Sequence, residues 1–257
     1  MGVLLVDAGN TRIKWARLDG NRPARGKAAV HHAWRPADFA RRLLRPARGI
    51  DGMIVASVAG ARLNRALRSA ARRAGIAVWF VSVPRRAGGV TVGYAEPWRL
   101  GVDRFAALVG AHALFDGVPL CVVGVGTALT IDLLDGAGRH RGGVIVPAPD
   151  LMVSTLLSQT HGIRRRAQGG AVPARGLFGR STRDGIERGA RYAAAALIDR
   201  AVEEGSSTLG REPLVLLTGG GAAALRTLLR SRCVGVPDLV LKGLAVLARA
   251  TPRAHRS

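Results

Sequence analysis

Cysteine is scarce in this 257-residue sequence, which contains only Cys121 and Cys233. The two residues are far apart, so the sequence provides neither a disulfide framework nor a cysteine pair with metal-ligand spacing. Cys121 lies in an apolar run and is predicted to be a small core residue. The histidines show no ligand spacing with cysteines or carboxylates, so no histidine metal site is expected. This cysteine usage is typical of a reducing compartment, and we predict a cytoplasmic protein.

Aromatic residues are also few, at 4%, although hydrophobic residues make up 48% of the chain. The hydrophobic content excludes disorder of the whole chain and predicts a core of Val, Leu, Ile and Ala. Long apolar runs are missing. The longest uncharged stretch, residues 118–131, is too short to span a bilayer as a helix and is interrupted by Pro119 and two glycines. Residues 1–6 are apolar but lack a basic segment, and no secretory signal or membrane segment is predicted.

Acidic residues are outnumbered, with 17 Asp and Glu against 39 Lys and Arg, which gives a net charge of +22. So basic a chain attracts polyanions at low salt. This charge is compatible with nucleic-acid binding or with a solvated basic surface that partly serves a phosphorylated substrate. The basic residues occur in short, dispersed clusters, and neither zinc-finger spacing nor an aromatic RNA-binding signature accompanies them. We therefore expect no nucleic-acid binding beyond nonspecific attraction.

Apolar strands alternate with helical segments along the chain, which predicts an α/β fold. Strands are predicted at 3–6, 13–16, 53–58, 78–83, 119–125, 129–134 and 214–217, and helices at 36–48, 62–75, 102–115, 182–204 and 237–249. Residues 3–11 resemble residues 122–127, because each segment has an apolar strand, a Gly-containing turn and a hydroxyl residue. This duplication predicts two related α/β lobes, residues 1–115 and 116–257.

The first candidate site is the turn Asp7-Ala8-Gly9-Asn10-Thr11, with Lys14 after it. Successive amides in such a turn can form an anion-binding nest, and Gly9 allows a phosphate to approach the backbone. Asp7, at the end of a strand, could hold Mg²⁺. The alternative is a hairpin turn in which Asp7 bonds its own backbone. The segment is not a P-loop, because the required Gly and Lys-Ser/Thr spacing is absent.

Two further glycine turns follow apolar strands. The first comprises residues 124–127, followed by Thr130 and Asp132, and the second comprises residues 218–221. Each could contact phosphate or nucleotide, and each could equally be a tight structural bend. With the turn at Asp7, they suit a nucleotide held in a cleft between the lobes.

A fourth candidate is the segment Gly101-Val102-Asp103-Arg104, which follows Tyr94 and Pro97. Asp103 could be a helix N-cap with Arg104 solvated. It could also be the base that accepts the proton of an attacking hydroxyl, with Arg104 binding a carboxylate or phosphate.

Taken in order, these motifs resemble those of the type III pantothenate kinases, a branch of the acetate-kinase/Hsp70/actin-like superfamily. The matching segments are residues 7–16, 94–97, 100–104, 126–132, 142–147, 182–189 and 217–220. The resemblance implies two ribonuclease-H-like lobes with a nucleotide cleft between them. It also implies ATP-dependent phosphorylation of pantothenate to 4′-phosphopantothenate, the first step of coenzyme A biosynthesis.

The resemblance further implies residue roles. It makes Asp103 the general base and Asp7 a ligand of Mg²⁺. Thr182 would reach pantothenate from the neighbouring subunit, so a homodimer is implied. The implied ATP-binding residues are Asp7, Ala8, Gly9, Asn10, Thr11, Arg12, Ile13, Lys14 and Thr127. The implied pantothenate-binding residues are Tyr94, Gly101, Val102, Asp103, Arg104 and Thr182.

Three positions depart from the family pattern. Gly124 stands where the family usually has an Asp that helps to hold a monovalent cation, which leaves a K⁺ or NH₄⁺ requirement doubtful. Ala148 replaces a Gly, and Gly221 replaces a frequent Asp. Two alternatives follow. One is a weakened homologue that acts as an accessory transcriptional regulator. The other is a related kinase or phosphatase acting on a different hydroxy acid, although the Tyr94, Asp103, Arg104 and Thr182 set argues against it.

Overall fold

The computed structural model describes residues 2–45, 49–169 and 176–250. In chain order the strands are β1 (Gly2–Ala8), β2 (Arg12–Asp19), β3 (Arg22–Pro23), β4 (Lys27–Val30), β5 (Ile50–Ser57), β6 (Ala77–Phe80), β7 (Arg86–Ala87), β8 (Val90–Thr91), β9 (Leu120–Val125), β10 (Ala128–Leu134), β11 (His140–Pro147), β12 (Leu214–Thr218) and β13 (Cys233–Gly235). The α-helices are α1 (Pro36–Phe39), α2 (Ala61–Arg73), α3 (Val102–Leu114), α4 (Pro149–Gln159), α5 (His161–Arg166), α6 (Thr182–Leu209), α7 (Ala222–Arg226) and α8 (Leu239–Ala250).

The chain forms two compact units. The first unit contains residues 2–45, 49–117, 136–141 and 238–250, and the second contains residues 118–135, 142–169 and 176–237. The sequence division at residue 116 assigned residues 136–141 and the last helix to the second lobe. In the structure α8 packs against α3 and β1, which places it in the first unit.

The sheet of the first unit has the strand order β3-β2-β1-β5-β6, and β4 also pairs with β2. β1 pairs antiparallel with β2 and parallel with β5. The side chains of β1 are almost all buried, as expected for a strand covered on both faces. The hydrophobic core of the first unit includes Leu4, Val6, Ile13, Met53 and Leu67.

Two glycines bring α3 and α8 close together in the first unit. A Cβ on Gly110 would lie 2.6 Å from the Leu239 carbonyl oxygen, and a Cβ on Gly243 would overlap the Ala106 carbonyl oxygen. Side chains at either position would therefore force the helices apart. This contact fixes α3 against the last helix of the chain.

The sheet of the second unit has the strand order β11-β10-β9-β12-β13, with β9 antiparallel to β10 and parallel to β12. It repeats the arrangement of the first sheet, in which an antiparallel hairpin is extended by parallel strands. The long helix α6 supplies Ala194, Ile198 and Val202 to the core of this unit. The predicted α/β fold with two similar lobes is confirmed. Within the described parts of the chain, no helix has the length and apolar character needed to cross a membrane.

Candidate active site

The turn between β1 and β2 carries the first motif. The Gly9 amide donates a hydrogen bond to the Arg12 carbonyl oxygen at 3.0 Å, which closes the turn, and Nε2 of the buried His31 lies 2.8 Å from the Gly9 carbonyl oxygen. Asn10, Thr11 and Arg12 are exposed at the tip. The side chains of Ala8 and Ile13 are buried in the core, so these two residues can offer a ligand only their backbone.

Asp7, at the end of β1, lies directly opposite Lys14 in the antiparallel register. Burial raises the pKa of Asp7 from 3.8 to about 7; the positive charge of Lys14 lowers this pKa, and the negative charges of Asp103 and Asp238 raise it. The charges of Lys14, Asp103 and Asp238 therefore all act on the Asp7 carboxyl group in the first unit. Perturbed carboxyl groups of this kind are common at functional sites.

The start of α3 positions Asp103. Gly101 is the N-cap of this helix, so the alternative in which Asp103 takes the N-cap position is wrong. Asp103 lies in the first turn, and its Oδ1 accepts a hydrogen bond from the Arg104 amide at 2.8 Å. A Cβ on Gly101 would lie 2.7 Å from the same oxygen, so glycine leaves room for this carboxylate. The helix N-terminus stabilises the charged form of Asp103.

Arg104 is buried, contrary to the alternative in which it is solvated. Its Nη1 donates a hydrogen bond to the Tyr94 hydroxyl at 3.2 Å, and its guanidinium lies 5.9 Å from the centroid of the Tyr94 ring. The Tyr94 ring also lies beside His140, at 5.4 Å between ring centroids. Arg85 donates to the carbonyl oxygens of Val92, at 3.1 Å, and of Tyr94 and Ala95, each at 2.6 Å. These contacts fix the segment that presents Tyr94 beside Arg104.

Sequence reasoning missed His140, Arg85 and Asp238. Arg85 could not be distinguished from the many other arginines of the chain. His140 begins β11, a strand that the sequence pattern did not predict. Asp238 carried one usable signal: it is an acidic residue in the first turn of the helix predicted over 237–249, in a chain with few acids.

In the second unit, two of the glycine motifs come together. The Gly126 amide donates to the Ala128 carbonyl oxygen at 3.0 Å, which closes a turn that exposes Thr127. The glycine segment after β12 folds against the end of β9, because a Cβ on Gly219 would overlap the Val125 carbonyl oxygen. The Gly221 amide bonds to that oxygen at 3.3 Å.

Gly124 lies on β9 between Thr130 of β10 and Thr218 of β12. A Cβ at this position would lie 2.8 Å from the Thr130 hydroxyl oxygen. Thr130 therefore occupies part of the space that a longer side chain at position 124 would need.

Thr182 begins α6 and is fixed by the capping of this helix. The Ser181 hydroxyl accepts from the Asp184 amide at 3.1 Å, and Asp184 in turn accepts from Arg188 Nε at 2.7 Å. Thr182 lies at one end of an open apolar groove between α4 and α6. The groove is lined by Met152, Leu156, Thr182, Gly185, Ile186, Gly189, Ala190 and Ala193.

Solved structures resemble this architecture. A Campylobacter jejuni protein described as a Baf family transcriptional activator superposes with a TM-score of 0.60 at 19% identity, covering 96% of this chain and 98% of that one. The activator of 2-hydroxyisocaproyl-CoA dehydratase from Clostridium difficile, with bound ADPNP, gives a TM-score of 0.55 at 13% identity, covering 96% and 94%. The fold is that of the actin-like ATPases.

Sequence similarity identifies the family within this fold class. Residues 3–204 match the family model for type III pantothenate kinase. A type III pantothenate kinase of Azoarcus sp. (strain BH72) is 40% identical over 249 residues, covering 96% of this chain and 91% of that protein. The Nitrosococcus oceani protein of the same name is 34% identical over 269 residues, covering 99% and 96%. The chain belongs to the type III pantothenate kinase family.

Proposed function

We propose that this protein transfers the γ-phosphoryl group of ATP to the primary hydroxyl of pantothenate, forming 4′-phosphopantothenate and ADP in the first step of coenzyme A biosynthesis. The observation that carries the proposal is the grouping of Asp7, Lys14 and Asp103 in the first unit of a chain that belongs to this family. The likeness to the Baf family protein, at 19% identity, concerns the fold alone. The regulatory alternative is not favoured.

Asp103 acts as the general base in this proposal. Its carboxylate accepts the hydroxyl proton as the pantothenate oxygen bonds to the γ-phosphorus and the bond to the ADP oxygen breaks. The amide of Arg104 holds one carboxylate oxygen in place. Arg104 and Tyr94 line the pantothenate pocket with Gly101 and Val102, and the fixed guanidinium suits the carboxylate of this substrate.

The exposed tip of the β1–β2 turn binds the phosphates of ATP. Asn10, Thr11 and Arg12 offer side-chain donors, Gly9 allows close approach, and Ala8 and Ile13 contribute through the backbone. Lys14, which lies opposite Asp7, supplies a positive charge for these phosphates. Thr127, exposed in the second unit, contributes a further ATP contact.

Asp7 fits a role as Mg²⁺ ligand. Within the described residues no three His, Cys, Asp or Glu side chains form a group that could hold a metal ion. Mg²⁺ at kinase sites uses one or two carboxylates together with substrate phosphates, so one carboxylate suffices. Burial is the main cause of the raised pKa of Asp7, and a bound cation would offset this cost of the negative charge. Mg²⁺ bound there would offset charge on the transferring phosphoryl group.

We propose that this enzyme needs no monovalent cation. Gly124 provides no side-chain oxygen, and the Thr130 hydroxyl occupies the adjacent space. Turnover that does not depend on K⁺ or NH₄⁺ would follow from the lack of a carboxylate at position 124.

We further propose a cytoplasmic homodimer in which Thr182 serves the site of the neighbouring subunit. The small residues Gly185, Gly189, Ala190 and Ala193 in the groove beside Thr182 permit close approach of another helix. The two free cysteines are consistent with a reducing compartment.

The test is ATP- and Mg²⁺-dependent phosphorylation of pantothenate by the purified protein, with and without K⁺ or NH₄⁺, with the product identified by mass spectrometry. We expect 4′-phosphopantothenate in all cation conditions. Product only with K⁺ or NH₄⁺ would contradict the role given to Gly124. Folded protein that forms no product under any condition would reject the kinase proposal, and DNA binding that persists at physiological salt would then favour the regulatory alternative.

A further inference from the structure

Asp238 has an unusual backbone conformation. Its φ is +54°, and it is the one non-glycine residue with a positive φ in residues 2–45, 49–169 and 176–250. This region costs most L-amino acids about 1 kcal/mol or more, and Asp and Asn tolerate it best. Asp238 directly precedes α8, and its carbonyl oxygen accepts from the Lys242 amide at 3.0 Å. The residue before a helix normally has an extended backbone, so the start of α8 does not by itself explain the positive φ of Asp238.

The conformation places the Asp238 carboxylate against strand β2 and the residue that precedes β4. Its Oδ1 lies 3.8 Å from the Lys14 ammonium nitrogen, and its Oδ2 is close to Gly26, where a Cβ would lie only 2.6 Å away. The carboxylate therefore fits between Lys14 on β2 and the glycine just before β4. Any residue larger than glycine at position 26 would crowd it.

This ion pair contributes little to the stability of the fold. The Lys14 and Asp238 side chains are 28% and 34% exposed, and ion pairs at such positions are worth about 0–1 kcal/mol. The separation also exceeds that of a hydrogen bond, so the pair orients the ammonium without using its N–H donors. A strained backbone that gains so little stability indicates a role in positioning.

Lys14 needs such a partner because its side chain is long and flexible, and Asp7 attracts it from the opposite strand. We propose that Asp238 is a positioning residue, which holds the Lys14 ammonium beside Asp7 with its donors directed to the phosphates of the nucleotide. The inference rests on the proposed function, in which Lys14 binds ATP.

The first test replaces Asp238 by asparagine, which keeps the shape and the tolerance of positive φ but removes the charge. We expect the KM for ATP to rise about tenfold, within the range of coupling between contacting residues. The KM for pantothenate and kcat should stay within about twofold of wild type. Asp238→Gly, which also tolerates positive φ, should behave in the same way. The matched control is Glu203→Gln, which removes a negative charge from an exposed ion pair with Arg200 and should change neither KM.

The decisive measurement is a double-mutant cycle with Lys14→Met. If Asp238 acts through Lys14, then Asp238→Asn should weaken ATP binding by less than about twofold in the Lys14→Met background. A full effect in that background, or equal increases in both KM values with a lower melting temperature, would show a merely structural role. An unchanged KM for ATP in Asp238→Asn would also overturn the inference.

The same cycle can be read without turnover, by calorimetry of a non-hydrolysable ATP analogue with Mg²⁺. Wild-type protein that binds the analogue but does not phosphorylate pantothenate would reject the proposed substrate, while the four binding constants would still test Asp238. Lys14→Met protein that binds the analogue as tightly as wild type would overturn the inference, because Asp238 would then have no phosphate-binding residue to position.

Discussion

Replacing Asp7 by asparagine is expected to stabilise the folded protein at alkaline pH while removing its activity. Burial raises the pKa of this carboxyl group from 3.8 to about 7, helped by Asp103 and Asp238 and opposed by Lys14. The folded state therefore holds the Asp7 proton more tightly than the unfolded state does. Asparagine keeps the size of the side chain and carries no charge, so it avoids the cost of a buried carboxylate.

The pH range follows from the two pKa values. Below pH 3.8 Asp7 is protonated in both the folded and the unfolded protein, so its ionisation does not affect stability. Between 3.8 and about 7 the unfolded state ionises first, so stability falls as pH rises, and above about 7 the folded state bears the full cost. At about 1.4 kcal/mol per pH unit, the difference corresponds to at most about 4 kcal/mol. Asp7 keeps some contact with solvent, so we expect about half of this, about 2 kcal/mol, at pH 8.5.

The assay is thermal unfolding of wild type and Asp7→Asn without nucleotide or Mg²⁺, from pH 4.5 to 8.5. At pH 8.5 the variant should melt about 4–8 °C higher, and near pH 4.5 the gain should shrink to about a quarter. Asp19→Asn, on the exposed end of the same hairpin, is the matched control and should show no such pH-dependent gain. A pH-independent difference, or an Asp7→Asn protein that is less stable at pH 8.5, would refute the reasoning.

Three further substitutions test the site and its frame. Asp103→Asn should lower turnover by roughly two to four orders of magnitude in a folded protein, measured by coupled ADP release, and a near-normal rate would exclude this residue as the base. Gly26→Ala should push the Asp238 carboxylate away from Lys14 and raise the KM for ATP, whereas Gly60→Ala, which meets no atom within 4 Å, should not. Gly243→Ala should separate α8 from α3, costing about 1–3 kcal/mol in chemical denaturation, and an unchanged midpoint would contradict the close contact.

The sequence allowed good prediction of elements whose signals are local. The hairpin around residues 7–14 and its counterpart at 120–134 were predicted because apolar strands end in glycine turns, and α3 and α6 begin where predicted. The short strands β3, β4, β7 and β8 were missed, since two to four residues carry no clear alternation. The helix predicted over 36–48 is a short α-helix followed by a π-helical turn at Ala40–Leu44, and residues 46–48 lie outside the described part of the chain.

Contacts between distant parts of the chain could not be predicted. Asp238 pairs with Lys14, and α8 packs on α3, yet no periodicity links these segments. The Gly110 and Gly243 positions resemble ordinary helix glycines until the two helices are seen together. Similarly, the buried state of Arg104 depends on Tyr94, which a different segment positions. The roles given to the individual site residues remain predictions that the variants above test.

The packing of α8 on α3 has a consequence for synthesis on the ribosome. The first unit combines earlier and later parts of the chain, because α3 ends at Leu114 and α8 begins at Leu239. At about 5–20 residues per second, roughly 6–25 s separate the synthesis of α3 from that of α8. During this interval the face of α3 that contains Gly110 lacks its partner, while β9, β10 and β12 of the second unit are synthesised. The helix that carries Asp103 thus reaches its final packing only after the strands of the second unit have been synthesised.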